Sequence, residues 1–222
     1  AAYAAIANSG TYIKPKFYTK ILDHNGNVLL DNTNSESHTV IKETTAWLLT
    51  SAMEDVMTSG TGKRAYFGSS MAQAGKSGTT TSSRDALFAG YTPYYTCAVW
   101  GGYDDNSVQK GHDTDYPKRI WKAVMSRLHE DLPYADFTQP SDIVAVAVCK
   151  ESGKLPIEGV CSNDPRGNCV ITEYFAKGTE PTEYCDHHTV SNICTASGML
   201  AGSYCPADTI TTGVYVIGGS PN

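Results

Sequence analysis

Gly75-Lys76-Ser77-Gly78-Thr79-Thr80 is followed by Ala86-Leu87-Phe88-Ala89-Gly90-Tyr91-Thr92 and then Tyr94-Tyr95-Thr96-Cys97-Ala98-Val99-Trp100-Gly101-Gly102-Tyr103. The last two runs are rich in β-branched and aromatic residues and meet at Thr92-Pro93, which reads as a turn between strands. A third strand placed before them, through Lys76, completes an antiparallel meander. A glycine inside such a strand marks a bulge or a place where another backbone or a ligand comes close, and Gly78 sits there.

Gly-Lys-Ser also occurs in phosphate-binding loops, but that motif needs a glycine six residues before the lysine. Ser70 occupies that position and Gly68 lies two residues too far upstream. Gly62-Lys63 fails as well, because Arg64 stands where a magnesium-binding hydroxyl is required. Nucleotide binding is therefore not expected.

Outward from this segment, the opening Ala-rich residues 1–8 favour a helix that ends at Ser9-Gly10. The pattern from Tyr12 to Leu30 is β-like around Asn25-Gly26, a hairpin signal, and residues 31–39 read as a polar loop. Residues 42–58 predict a helix whose face carries Leu48, Leu49, Ala52, Met53, Val56 and Met57. Pro117 opens a second helix with Ile120, Trp121, Val124, Met125 and Leu128 on one side. Residues 142–149 and the Gly213–Ile217 run read as strands. No internal repeat is legible, and a boundary near residue 136 divides a first domain, 1–135, from a tail, 136–222.

The chain has 222 residues and a formal net charge of −6, which argues against a nucleic-acid partner. It contains no apolar run long enough to cross a bilayer and no signal peptide. Opening inside a helix, it reads as a piece of something longer. Cys97 stands in an apolar run and is expected to be a core thiol. Six more cysteines, Cys149, Cys161, Cys169, Cys185, Cys194 and Cys205, fall in the last third. In a Gly/Ser/Thr/Pro-rich stretch they suggest a disulfide framework and an extracytoplasmic setting, with the pairing open. The rival is a zinc site using Cys185 with His187 or His188, which no Cys-x-x-Cys pair accompanies. No metal or other cofactor is expected.

Several stretches together resemble class A penicillin-binding proteins: AAYAAIANSGTYIKP, VMTSGTG, AGKSGTT, DALFAGYTPYYTCAVWGGYDD and the IWKAVM helix, with weaker similarity through CKESGKLP and EYFAKGTEPTEYCDHH. The resemblance implies an α+β, partial transpeptidase-like (β-lactamase-like) fold: an antiparallel sheet, five-stranded in the family, flanked by helices, and here followed by a Cys-rich, loop-rich tail. It implies a peptidoglycan D,D-transpeptidase in which Lys76 and Thr79 belong to the catalytic wall. Ser77, Gly78, Thr79 and Thr80 would bind substrate. Lys76 would attract the carboxylate of a stem peptide ending in D-Ala-D-Ala, or that of a β-lactam, and bias proton transfers. The hydroxyls of Ser77 and Thr79 would bind that carboxylate, and the Thr79 amide would form half of an oxyanion hole.

The family's nucleophile motif, Ser-x-x-Lys, and its Ser-x-Asn motif do not occur before Lys76. Thr11–Lys14 and Thr39–Lys42 have the first spacing with threonine, Ser107–Lys110 lies after the strand, and Ser220-Pro221-Asn222 is terminal. His24, His38, His112, His129, His187 and His188 supply no substitute triad. The chain alone is thus expected to be inactive, with the upstream part of the same protein as its partner. A class A parent would also carry a glycosyltransferase domain and act at the extracytoplasmic face of the bacterial membrane. Membrane attachment is expected only through an N-terminal anchor outside this sequence. The alternative is a non-catalytic cell-wall-binding or assembly module.

Overall fold

The computed structural model describes residues 1–109 and 114–217. His112, Lys110 and Ser220–Asn222 lie outside them. The chain forms two compact units, Ala1–Ser141 and Asp142–Asn222.

In the first unit, helix α1 (Ala2–Ala7) leads through Gly10, at φ 85°, into β1 (Thr11–Ile13). Strands β2 (Lys20–Leu22) and β3 (Val28–Asp31) form the hairpin read from Asn25-Gly26. The Asp23 carboxylate holds its turn by accepting from the amides of Asn25 and Asn27, each at 2.8 Å. The stretch read as a polar loop contains a strand, β4 (Ser37–Thr39), antiparallel to β1. His38 is the cross-strand partner of Tyr12, their rings 5.2 Å apart, so it serves a strand pair rather than a loop.

Helix α2 (Glu43–Thr58) buries Ala46, Thr50, Met53 and Met57. The expected face is thereby rotated: Met53 and Met57 hold, while Leu49 is exposed and the polar Thr50 is inside. Its hydroxyl donates to Ala46 O at 2.8 Å and meets the Tyr91 hydroxyl at 2.6 Å. A satisfied hydroxyl can be buried, which apolar periodicity does not register.

Strands β5 (Ala74–Thr79), β6 (Asp85–Tyr91) and β7 (Thr96–Gly102) form a continuous antiparallel meander with β6 in the centre. Gly75 lies opposite Gly90, and Gly90 opposite Cys97. Both glycines are obligatory. A Cβ at Gly75 would lie 2.8 Å from Phe88 Cζ, and one at Gly90 would lie 2.8 Å from Ala74 O and 3.0 Å from Trp121. The space they leave admits Trp121 of helix α3 (Tyr116–Leu128), which is fully buried, donates to Cys97 O at 3.1 Å and packs edge-on to Phe88 at 5.2 Å. Met57, Ala65 and Met125 complete this core.

The apolar residues of α3 divide into two stripes. Trp121 and Met125 are buried, whereas Ile120, Val124 and Leu128 are exposed. His129, at the end of α3, donates from Nδ1 to Met125 O at 2.6 Å and accepts from the Thr92 hydroxyl at 2.8 Å. It holds the β6–β7 turn. Phe137 packs edge-on to Tyr91 at 5.5 Å, so the segment after residue 135 continues on the first unit.

The second unit is more ordered than its composition suggests. Strand β8 (Ile143–Cys149) pairs with β9 (Val170–Ala176), and β10 (His188–Cys194) pairs with β11 (Met199–Leu200) and β12 (Ile210–Val216). These are two copies of one motif, contrary to the expectation of no repeat. Each begins with a seven-residue strand ending in cysteine, Cys149 or Cys194. Ser152-Gly153 or Ser197-Gly198 follows, with glycine φ 69° and 71° and the glycine amide donating 2.8 Å back to the cysteine carbonyl in both. A second cysteine, a short 3₁₀ turn and a seven-residue return strand close each copy. The signal is Cys-x-x-Ser-Gly-x-Leu, present with the same spacing at Cys149–Leu155 and at Cys194–Leu200. Beyond it the copies differ in loop length, Cys161 lying six positions after Leu155 and Cys205 five after Leu200, so little else recurs at a fixed period.

Two outcomes follow for the first unit. Burial, and then repulsion from Asp136 and Asp55, push the Glu54 carboxyl up to about 7. The folded state then holds its proton more tightly than the unfolded chain, so stability falls as pH rises from about 4.5 to about 7. Thermal melts should show Glu54→Gln raising Tm at pH 8 and leaving it unchanged near pH 4; equal gains at both would contradict this. In contrast to Gly75, a Cβ at Gly78 would meet only Leu87, at 3.5 Å, an ordinary contact. Denaturant titration should find Gly75→Ala destabilising by about 1–3 kcal/mol and Gly78→Ala within about 0.5 kcal/mol of the parent.

Candidate active-site wall

Strand β5 occupies an edge of the meander among the described residues. The pairing of Thr80 with Asp85, whose carbonyl accepts the Thr80 amide at 3.1 Å, sets the hydrogen-bonding parity of the ladder. Because inward and outward amides alternate along an antiparallel strand, residues 76 and 78 turn their backbone groups toward β6. Ser77 and Thr79 turn theirs to the open edge. The Ser77 carbonyl follows this rule by accepting the Lys76 ammonium at 3.0 Å.

Side chains alternate in the other sense. Lys76 and Gly78 share a sheet face with Leu87, Ala89, Ala98 and Trp100, and on it Leu87 and Trp100 are exposed. The opposite face carries Phe88, Cys97 and Val99 against Trp121. Cys97 is partly buried there, and burial pushes its thiol up from the ordinary range.

The Ser77 hydroxyl donates to Thr61 Oγ1 at 3.0 Å and lies 3.5 Å from the Lys76 ammonium. Thr61 was not singled out from sequence. Its position follows from the Ser59-Gly60-Thr61-Gly62 loop folding against the end of α2. The Gly62 amide donates to Val56 O at 2.9 Å, and a Cβ at Gly62 would lie 2.9 Å from that same oxygen. The readable signal was the pair of glycines bracketing Thr61.

Lys76, Ser77 and the Thr79 amide are thus gathered along one edge, with Thr61 beside them. Thr80 is differently placed. Its hydroxyl accepts the Asp85 amide at 2.8 Å and donates to the Asp85 carboxylate at 3.0 Å, closing the turn into β6. Ser82 and Ser83 take φ of 62° and 53° to complete that turn. Asp85 also accepts the Trp100 indole N–H at 3.1 Å. The arrangement offers an anion a cation, hydroxyls and an outward amide. Thr11 lies in β1 and Thr39 in β4, neither of them at the start of a helix.

In the second unit the expected disulfide framework is not formed: all seven cysteines are thiols. Instead, Cys149, Cys161, Cys185 and His188 converge, fully buried, with their ligand atoms within 4.8 Å of one another. Among the described residues no helix is long and apolar enough to cross a membrane.

The family model for the penicillin-binding protein transpeptidase domain matches residues 1–126, and that for the C-terminal domain of penicillin-binding protein 1A matches twice, at 139–190 and 189–222. The double match coincides with the structural repeat. Penicillin-binding protein 1A of Clostridium perfringens is 39% identical over 85% of this chain and 22% of its own length. That of Clostridium botulinum (strain Langeland) is 37% identical over 97% of the chain and 26% of its own length. The chain therefore spans about a quarter of these relatives. Among solved structures, penicillin-binding protein PonA1 of Mycobacterium tuberculosis aligns with a TM-score of 0.55 at 31% identity, covering 63% of this chain and 40% of its own. Penicillin-binding protein 1A of Haemophilus influenzae shares the fold, with a TM-score of 0.68 at 24% identity over 83% of this chain and 32% of its own. With more than half its length, residues 1–126, matched by the transpeptidase family model and residues 139–222 by the model for the C-terminal domain of penicillin-binding protein 1A, the chain belongs to the penicillin-binding protein transpeptidase family.

Proposed function

We propose that this chain supplies one wall of the active site of a peptidoglycan D,D-transpeptidase. The observation that carries the reading is the outward-facing edge of β5. There a lysine, a serine and a strand amide are presented together, and a glycine whose Cβ position is unfilled stands between them. A small residue kept where its own protein needs none leaves room for a ligand backbone.

In this reading the terminal carboxylate of a D-Ala-D-Ala stem peptide, or that of a β-lactam, lies against Lys76 and the hydroxyls of Ser77 and Thr79. The scissile carbonyl oxygen points at the Thr79 amide, where negative charge develops as the tetrahedral intermediate forms. Lys76 favours the anionic forms passing through the cleft. Thr61 orients the Ser77 hydroxyl. Thr80, whose hydroxyl is engaged by Asp85, sets the shape of the strand end rather than touching substrate.

The nucleophilic serine and its lysine come from the part of the protein represented in the other three-quarters of the relatives' length. The exposed Leu87 and Trp100, on the face that carries Lys76, are where that part packs. The complete enzyme acylates its serine with a donor stem peptide, releases D-alanine and passes the acyl group to an acceptor amine, outside the cytoplasmic membrane.

Labelling with a fluorescent penicillin tests this. The 222-residue chain should take no covalent label. The protein extended upstream to the relatives' length should take one label per molecule, and Lys76→Ala in that protein should slow labelling by about 10²-fold or more. An unlabelled extended protein, or an unchanged rate for Lys76→Ala, would overturn the proposal and favour a non-catalytic cell-wall module.

A further inference from the structure

We infer that Cys149, Cys161, Cys185 and His188 form a structural zinc site that fastens together the two repeats of the C-terminal unit. The ligands come from separate pieces of that unit: Cys149 ends β8, Cys161 opens the 3₁₀ turn Cys161–Asn163, and Cys185 and His188 stand in a Cys-x-x-His step at the start of β10.

The geometry fits a tetrahedral ion. With Zn–S of about 2.3 Å and Zn–N of about 2.0–2.1 Å, the S···N edge of a tetrahedron is about 3.6 Å. Nδ1 of His188 lies 3.3 Å from Cys185 Sγ and 3.5 Å from Cys149 Sγ. All four ligand atoms fall within 4.8 Å of each other, and all four residues are buried.

The surroundings point the same way. Nε2 of His188 donates to the buried Asp164 carboxylate at 2.7 Å, which fixes the tautomer and leaves the Nδ1 lone pair aimed at the sulfurs. A carboxylate behind a ligating imidazole is the usual orienting partner at zinc centres. Asp164 is itself held by Arg166, through Nε at 3.0 Å, Nη2 at 2.9 Å and the backbone amide at 2.7 Å. Backbone amides approach two of the sulfurs as acceptors: Ile157 N to Cys161 Sγ at 3.3 Å and His187 N to Cys185 Sγ at 3.4 Å. These contacts favour thiolates, whereas a disulfide has no use for a lone pair and two N–H donors directed at its sulfurs.

The unit also needs such a staple. Apart from cysteines, its buried hydrophobic side chains among the described residues are Ile143, Val148 and Val160. A domain with so small a core is commonly held by metal or covalent links. Zn²⁺ meets the donor set of three sulfurs and one nitrogen, and its binding releases the thiol protons while forming three Zn–S bonds and one Zn–N bond. Cys169 groups with Asp164 and His188 instead, and Cys194 and Cys205 belong to the second repeat. None of the three is a ligand.

The test is metal analysis of the full chain purified without chelator, together with reconstitution by Co²⁺. The expected result is one zinc per chain, and with cobalt the d–d and thiolate charge-transfer absorption of a tetrahedral sulfur-rich site. Cys185→Ser and His188→Ala should lose the metal, while Cys169→Ser and Cys194→Ser retain it. Asp164→Asn, which preserves shape, should weaken zinc affinity about 10–100-fold. Metal-free protein with reactive thiols, disulfides among Cys149, Cys161 and Cys185 by mass spectrometry, iron in place of zinc, or zinc that survives Cys185→Ser would each overturn the assignment.

Discussion

The close approach of β5, β6 and α3 across Gly75 and Gly90 is the constraint on which the first unit depends. Two facing positions without side chains let Phe88 and the indole of Trp121 fill the space above the sheet, and that packing sets where the β5 edge lies. The indole N–H is satisfied by the Cys97 carbonyl, so the largest buried side chain of the unit carries no unpaired polar group. Thr50 and Tyr91 seal the other end of the sheet through a shared hydrogen bond, and His129 pins the β6–β7 turn. What remains outside this packing is the outer edge of β5 and the face bearing Lys76.

Gly78 belongs to that edge and differs in kind from Gly75. One glycine is required by the protein's own packing and the other is not. Such a contrast separates a fold constraint from a ligand constraint on the same strand, three residues apart. It also explains how Ser77 can be partly held by Thr61 while Thr79 projects its amide outward: an edge strand satisfies half its backbone groups and offers the rest.

Much of the sheet was legible in the sequence, because period-two patterning, Thr92-Pro93 and the glycines all pointed to one meander. The helix α2 face was misjudged because a satisfied buried threonine is invisible to hydrophobic periodicity. The β1–β4 pairing was missed because three polar residues become a strand only when Thr11–Ile13 lies beside them. Lys76, Ser77 and Thr79 were proposed from motif and order, whereas the placing of Thr61 beside Ser77 depends on how a glycine-bracketed loop folds back on a helix. In the tail, counting cysteines suggested disulfides. What decides their chemistry is a histidine and an aspartate brought in from 24 residues apart, and no spacing rule contains that contact. The repeat was hidden because its copies share only the short Cys-x-x-Ser-Gly-x-Leu step and then diverge in loop length, Leu155 to Cys161 being one position longer than Leu200 to Cys205.

The most direct measurement of the central claim is a crystal structure of the upstream-extended protein after acylation by a penicillin. The β-lactam carboxylate should lie within hydrogen-bonding distance of the Ser77 and Thr79 hydroxyls near Lys76, with the acyl carbonyl oxygen on the Thr79 amide. An acyl group bound elsewhere, with the outer edge of β5 covered by another strand of the same protein, would contradict it.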